Sequence, residues 1–345
     1  MDVGLGDLCE GARIVLDRLG EEGTAWIVGG WVRDRIAGKD SEDLDLASNL
    51  IPSEVESAFP RSIMVGEEFG TVLVRVEDSK GRDFQCEVTT LRKDGGYTDG
   101  RRPDNVIFGN DIEEDLARRD FTINAMAIEP MKGLVGAECP SGKLIDLDGR
   151  GIKDLESGLL RTVGQAEKRI REDGLRIVRA FRFLDLGEGG LRELDPELSI
   201  AISSNLPMLS KVSKERIWNE LQKILSCSNS MRIVESMVEH GILEEVLPGI
   251  SINTDANQSD DHIVNLALIC RDEGGNGSEI SEKIGSLLRL SRKESSELSS
   301  LHEYRKIELD SSVESVRRFS ATMSDMQISI RLLWKSSMYT ATPFA

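Results

Sequence analysis

The sequence predicts an α+β chain in which a small mixed-sheet head is followed by helices, and three observations carry the prediction. Strand-like apolar runs, at residues 25–28, 72–76 and 84–88, are confined to the first 146 residues. From about residue 150 onward apolar residues recur at helical spacing almost throughout. The polar stretches 253–261 and 272–278 follow neither period and read as loops or links between helices. At 345 residues the chain has room for two or more domains and a sizeable core. The expected division is a head over 1–148, a helical neck over 149–205, and a helical body and short tail over 206–345.

Residues 1–24 read as a helix, because Leu8, Ala12, Val15, Leu16 and Leu19 fall at helical spacing. Ala25-Trp26-Ile27-Val28 reads as a strand. Gly29-Gly30 then permit a sharp turn and close approach of backbone to a ligand, since neither carries a Cβ. Residues 31–37 read as the first turns of a helix, whose unpaired N–H groups face any phosphate held at that turn. A second strand is expected to begin near Asp43. Residues two apart on a strand share a face roughly 7 Å apart, so Asp43 and Asp45 are placed to share divalent metal ions. The runs 72–76 and 84–88 flank the turn Ser79-Lys80-Gly81-Arg82.

Each signal also has an ordinary reading. A lone Asp-x-Asp is usually a solvated strand edge, and a lone Gly-Gly is usually just a turn. A dinucleotide-binding fold competes for the glycines, but it wants Gly-x-Gly-x-x-Gly, and Val32-Arg33-Asp34 stands where the third glycine belongs. Taken together, a phosphate cradle beside a carboxylate pair is what metal-assisted nucleotidyl transfer needs.

Composition sets the surroundings. No 18-residue apolar run is present, so no membrane-spanning segment is expected. Met1-Asp2-Val3-Gly4 lacks the basic and apolar regions of a signal peptide. Five scattered cysteines form no Cys-x-x-Cys pair, and the odd count speaks against a disulfide framework. A reduced, cytoplasmic chain is expected. The three histidines are scattered and read as ordinary surface or helix-end residues. The net charge of −18 predicts repulsion from nucleic acid. Basic residues nevertheless cluster in Lys168-Arg169-Arg171 and at Arg176, Arg179 and Arg182, and an acidic remainder is what a salt-adapted cytoplasm favours.

Further segments extend the pattern. Thr89-Thr90-Leu91-Arg92 leads into Tyr97-Thr98-Asp99-Gly100-Arg101-Arg102-Pro103. Then come Glu114-Asp115-Leu116-Ala117-Arg118-Arg119-Asp120-Phe121-Thr122-Ile123-Asn124, Asp146-Leu147-Asp148-Gly149 and Arg161-Thr162-Val163-Gly164. Last are Glu172-Asp173-Gly174-Leu175-Arg176 and Glu215-Arg216-Ile217-Trp218-Asn219-Glu220-Leu221. With Gly29-Gly30-Trp31-Val32-Arg33-Asp34 and Asp43-Leu44-Asp45, this order resembles the class II CCA-adding tRNA nucleotidyltransferases and their relatives the bacterial poly(A) polymerases. The match runs from about residue 25 to residue 250.

The resemblance implies a nucleotidyltransferase head of the DNA polymerase beta-like superfamily, acting on tRNA with CTP, ATP and Mg²⁺. Asp43 and Asp45 would hold two Mg²⁺ ions, one lowering the pKa of the attacking 3′-hydroxyl and one bridging triphosphate oxygens. Glu87 matches the third carboxylate, against a plain polar position on an edge strand. Gly29 and Gly30 would offer N–H groups to the triphosphate, and Arg33 a charged fork, against a surface salt bridge with Asp34 or Asp40. Arg119 would contact phosphates and Asp120 the ribose hydroxyls, against a helix-capping role for Asp120.

The segment from Glu172 bears on base choice. On a helix Asp173, Arg176 and Arg179 step by three and share one broad face. Asp173 can accept from an exocyclic amine and Arg176 can donate to a ring nitrogen, an edge that cytosine and adenine share and uracil and guanine do not. By resemblance Glu172 steadies the arginine, and Arg179 and Arg182 also contact nucleotide. A solvated ion-pair ladder is the competing reading. Gly174 departs from the Pro or Ala usual there, so the helix is expected to begin or flex near it. The segment 94–104 resembles the loop used in adding the last A, which favours complete CCA addition over CC-only or A-only addition. Gly66-Glu67-Glu68-Phe69-Gly70-Thr71 lacks the Gly-Arg-Arg-Phe of poly(A) polymerases, the runner-up. A non-catalytic RNA-binding relative is the reading from another class.

Overall fold

The apolar runs of the head become strands of one mixed sheet. The computed structural model describes residues 1–41, 43–66, 70–94, 106–270 and 277–304. They form two compact units, Met1–Glu172 with Glu193–Leu198, and Asp173–Arg192 with Ser199–Ala345 up to residue 304. The segments expected from sequence, 1–148, 149–205 and 206–345, cut the chain differently and remain a proposal about division of labour.

The first unit begins β1 (Asp2–Gly4), α1 (Glu10–Glu22), β2 (Ala25–Val28), α2 (Gly30–Ile36), β3 (Asp45–Ser48) and α3 (Pro52–Ala58). It continues through β4 (Ser62–Gly66), β5 (Thr71–Glu77), β6 (Asp83–Thr90), β7 (Arg92–Asp94), β8 (Val106–Phe108) and α4 (Ile112–Ala117). After a 3-10 turn (Thr122–Asn124) come β9 (Met126–Pro130), β10 (Ser141–Asp146), α5 (Arg150–Ser157), β11 (Leu159–Leu160) and α6 (Ala166–Glu172), with β12 (Glu193–Leu194) beside β11. Among the described residues eight strands make the main sheet, in the order β1-β10-β9-β2-β3-β6-β5-β4.

β2 is apolar at all four positions because both faces of the sheet are covered. Ala25 and Ile27 join one core with Leu16 and Leu19 of α1, while Trp26 and Val28 join another with Ile112 and Leu116 of α4. This packing fixes β2 between β9 and β3, antiparallel to both. β3 and β6 run parallel, which makes the sheet mixed as expected. Two expectations change here. Residues 2–4 are not part of the first helix but an edge strand on β10, too short to show alternation in sequence. Asp43 lies outside β3, which starts at Asp45, so the two aspartates do not occupy alternate positions of one strand.

The second unit is helical: α7 (Leu175–Arg182), α8 (Pro196–Ser204, begun in the first unit), α9 (Lys214–Leu225), α10 (Ser230–Glu239), α11 (Ile242–Val246), α12 (His262–Ile269), α13 (Gly277–Leu288) and α14 (Arg292–Tyr304). α7 packs on α9 and α10, burying Phe181, Leu221 and Ile233 completely. The loop expected at 253–261 ends where Asp261 caps α12 through the Ile263 and Val264 N–H groups. Of the loop expected at 272–278, residues 272–276 lie outside the described residues, and Gly277 already opens α13. All five cysteines are free thiols. Among the described residues no helix is long and apolar enough to cross a membrane.

Candidate active site

The register of the sheet assembles the first part of the site. Val28, the last residue of β2, lies opposite Asp45. The chain then turns at Gly29, whose φ of +73° and ψ of −135° suit glycine and strain any side chain. A Cβ placed on Gly29 would stand 3.5 Å from Asp45 Oδ2 and 3.4 Å from Arg119 Nη1. A carboxylate and a guanidinium therefore converge on one stretch of bare backbone. Gly30 follows with its Cβ position 3.7 Å from Arg33 Nη2, so a second guanidinium borders the same turn.

Asp45 also pairs in register with Glu87 across the parallel strands β3 and β6. Both side chains reach solvent, yet protein crowds Asp45 closely enough that burial pushes its carboxyl above the usual carboxylate range. Glu87 adds to the push, Arg119 opposes it, and Asp43 adds a smaller push. A cluster of like charges that raises a member's pKa is a cluster short of a cation. Among the described residues no group of three or more His, Cys, Asp or Glu closes into a protein-only metal cage. The donor set fits a small hard cation held by one or two carboxylates and completed by substrate oxygens, the habit of Mg²⁺.

Arg33 is fixed by neighbours. Of the two acids weighed for it, Asp34 is the one it holds, Nε to Oδ1 at 2.8 Å and Nη2 to Oδ2 at 3.0 Å. Its Nη1 donates to Asn124 Oδ1 at 2.8 Å. Asn124 in turn donates through Nδ2 to Asp120 Oδ1 at 3.4 Å, and Phe121 N donates to the same oxygen at 2.8 Å. The 3-10 turn has Phe121 as its N-cap with no side-chain capping bond, so Asp120, 9% exposed, is held beside the turn and does not cap it. Behind it, Thr122 donates to buried Asp154 at 2.7 Å, and Arg161 bridges Asp154 and Asp195.

The segment from Glu172 differs from the single helical ladder expected. α6 ends at Glu172 and α7 starts at Leu175, so Asp173 lies between helices and does not share the α7 face of Arg176 and Arg179. Asp173 Oδ1 accepts from Leu175 N at 3.0 Å and Oδ2 pairs with Arg216 Nη2 at 2.7 Å. Gly174 does mark the start of the helix. The reason is close packing, because a Cβ there would stand 2.5 Å from the Met208 carbonyl oxygen. Glu172 pairs with Arg169 at 2.7 Å. Arg176 is buried, while Arg179 and Arg182 share Glu220 at 3.5 and 3.2 Å and both lie over the Phe183 ring.

Three residues that sequence reasoning gave no role hold these side chains: Asp115 on Arg119, Arg216 on Asp173, and Glu220 on Arg179 and Arg182. Asp115 had a legible signal, since it stands three and four residues before Arg118 and Arg119 on a helical pattern. Glu220 and Arg216 are long-range partners, which spacing does not reveal. The segments 67–69 and 95–104, on which the poly(A) and last-A readings rest, lie outside the described residues.

Comparison with known proteins agrees with this geometry. Residues 25–161 match the family described as "Poly A polymerase head domain", and residues 193–253 match "Probable RNA and SrmB- binding site of polymerase A". The CCA-adding enzyme of Geobacillus stearothermophilus is 40% identical over 239 residues, 69% of this chain and 54% of that protein. The one from Lactobacillus johnsonii is 41% identical over 237 residues, 68% of this chain and again 54% of the relative. The chain therefore spans about half the length of the curated relatives it matches. The solved structure of the Bacillus stearothermophilus CCA-adding enzyme in complex with CTP is 29% identical, with a TM-score of 0.68 covering 94% of this chain and 82% of that one. Residues 25–161 thus belong to the poly(A) polymerase head-domain family, followed at 193–253 by its RNA-binding segment, in a chain similar to CCA-adding enzymes.

Proposed function

We propose that the chain adds or repairs the 3′-terminal CCA of tRNA in the cytoplasm, without a nucleic-acid template, from CTP and ATP. One observation carries the reading: Asp45 and Arg119 converge on the Gly29 turn, with Glu87 in register beside Asp45. In this reading the Gly29–Gly30 backbone lets the triphosphate approach and Arg119 offsets its charge. Asp120 accepts from ribose hydroxyls, which favours ribonucleotides. Asp43, Asp45 and Glu87 hold Mg²⁺, which supplies an acidified 3′-hydroxyl and neutralised phosphate oxygens. Residues 1–148 supply this chemistry, 149–205 the base choice, and 206–345 contacts to tRNA.

Asp173 and Arg176 choose the base. An aspartate oxygen beside an arginine donor suits the amine and ring nitrogen of C and A, and opposes the carbonyls of U and G. Arg216 and the Leu175 N–H hold the Asp173 carboxylate in place. Arg179 and Arg182, anchored on Glu220, add contacts to the nucleotide.

The test is one incubation series. tRNAs ending before the CCA, at C and at CC receive single nucleotides with Mg²⁺, and added residues are counted. Addition of C, C and then A supports the reading. Extension by ATP alone assigns a poly(A) polymerase, arrest at CC or addition of A alone assigns a partial enzyme, and no metal-dependent turnover assigns a non-catalytic RNA-binding relative. Shortening 95–100 should spare both C additions and impair the final A.

A further inference from the structure

Arg119 has Asp115 on its Nη2 and Asp45 beside the turn that its Nη1 borders. The Asp45 Oδ2 borders the same Gly29 Cβ position as Arg119 Nη1. Asp115 of α4 is 1% exposed, and its Oδ2 takes Arg119 Nη2 at 3.2 Å. The other Asp115 oxygen accepts from Arg118 Nη2 at 2.5 Å, from Arg118 Nε at 3.1 Å and from the Arg92 N–H at 3.3 Å. Burial alone would push the Asp115 carboxyl up, but Arg118 and Arg119 outweigh it and hold the group ionised. One buried carboxylate thus serves two guanidinium groups. The Arg119 Nε is buried with no hydrogen-bond partner, so its side chain is held by the forked end alone.

We propose that Asp115 is a positioning residue for the triphosphate and metal site: it tethers Arg119, keeping Nη1 at the Gly29 turn and the guanidinium off Asp45. The inference rests on the nucleotidyltransferase reading and deepens it. A guanidinium forms strong forked pairs with any carboxylate it reaches. Cut loose from Asp115, Arg119 is able to turn to Asp45, which borders the same turn, and pairing there would block the carboxylate that a cation needs. It would also take the charge away from the turn where phosphate is received. The tether therefore keeps both halves of the site open, acid for metal and cation for phosphate.

The test uses the full chain and reads binding without turnover: free Mn²⁺ by paramagnetic resonance, and CTP by calorimetry. Asp115→Asn keeps the side-chain shape and removes the charge. It should weaken Mn²⁺ and CTP binding by about ten- to a hundredfold, the range for a lost outer partner of a metal site. In an Arg119→Ala background the same substitution should add no further loss. Arg119→Lys is the second variant, in case Asp115→Asn does not fold. A lysine cannot span Asp115 and the turn at once, so CTP binding should again fall by about tenfold. An undiminished Asp115→Asn effect in the Arg119→Ala background, or wild-type binding by Arg119→Lys, overturns the tether. A wild-type chain that binds neither Mn²⁺ nor CTP overturns the nucleotide site itself and the tether with it.

Discussion

The Gly29 turn and the start of α7 handle charge in opposite ways. At the turn Asp45 faces Glu87 and Asp43, and its carboxyl is pushed up even with Arg119 nearby. Around α7 each acid has its cation: Glu172 with Arg169, Asp173 with Arg216, Glu220 with Arg179 and Arg182. The first arrangement holds the folded chain in a state that a cation would relieve. The second holds side chains in place and asks for nothing further. Chemistry belongs where charge is unbalanced, and selection belongs where charged groups are fixed.

Breaking the unbalanced region should have the largest effect. Asp45→Ala should reduce both C and A addition by at least about a hundredfold, more than loss of an outer-shell partner. Far-UV circular dichroism should stay unchanged. If more than about a tenth of wild-type turnover survives at saturating Mg²⁺, a barrier change of only ~1.4 kcal/mol, the metal site is misassigned.

In the balanced region the loss should be smaller and shared. Arg176→Ala removes a charge-assisted bond typically worth about 1.5–3 kcal/mol, so CTP and ATP efficiencies should both fall roughly ten- to a hundredfold. A loss confined to one nucleotide would separate the two bases and contradict a common edge. Gly174→Ala sharpens the same region through packing alone. Its methyl would meet the Met208 carbonyl at 2.5 Å, and overpacking typically costs about 1–3 kcal/mol. Denaturant midpoints read that cost, and an unchanged midpoint would return Gly174 to a role in flexing.

The smallest effect runs opposite in sign. A carboxyl whose folded pKa is raised destabilises the fold above that pKa and has no effect below its ordinary value. Asp45→Asn should therefore raise the melting temperature of the metal-free protein at neutral pH by about 1–3 °C. The difference should vanish as pH falls below the ordinary carboxylate range. A lower melting temperature at neutral pH would mean that Asp45 is paired and satisfied.

Which parts were legible follows the same divide. The β2 strand, the Gly29 turn and Asp45 were readable because a continuous apolar run, a glycine and an acid leave local marks. The place of Glu87 became firm only through the parallel pairing of β3 with β6, a non-local register that spacing cannot supply. Asp43 stands two residues before the first residue of β3, a boundary that the strand pattern does not mark. The i, i+3 spacing at Asp173 suggests one helix, but its carboxylate accepts from Leu175 N at the start of α7, and the packing of Gly174 on Met208, more than thirty residues away, leaves no mark in the local sequence. Spacing gives Glu220 and Arg216 no role for the same reason. Local spacing marks the candidate groups, and tertiary packing decides which residues hold them.

In the proposed function the head performs the transfer while Asp173 and Arg176 choose the base, and the nucleotide selectivity of Asp173→Ala separates that division from a structural role. Efficiency with CTP, ATP, UTP and GTP is measured on tRNA lacking its 3′ end, with Glu188→Ala, an exposed acid on a separate turn, as control. Asp173→Ala also frees Arg216 and uncaps α7, so rate alone is uninformative and the ratio between nucleotides decides. If Asp173 reads the base edge, rejection of UTP and GTP relaxes while CTP and ATP weaken, with the Glu188→Ala ratios unchanged. An equal proportional loss with all four nucleotides would make Asp173 a structural ion-pair residue and place base choice elsewhere.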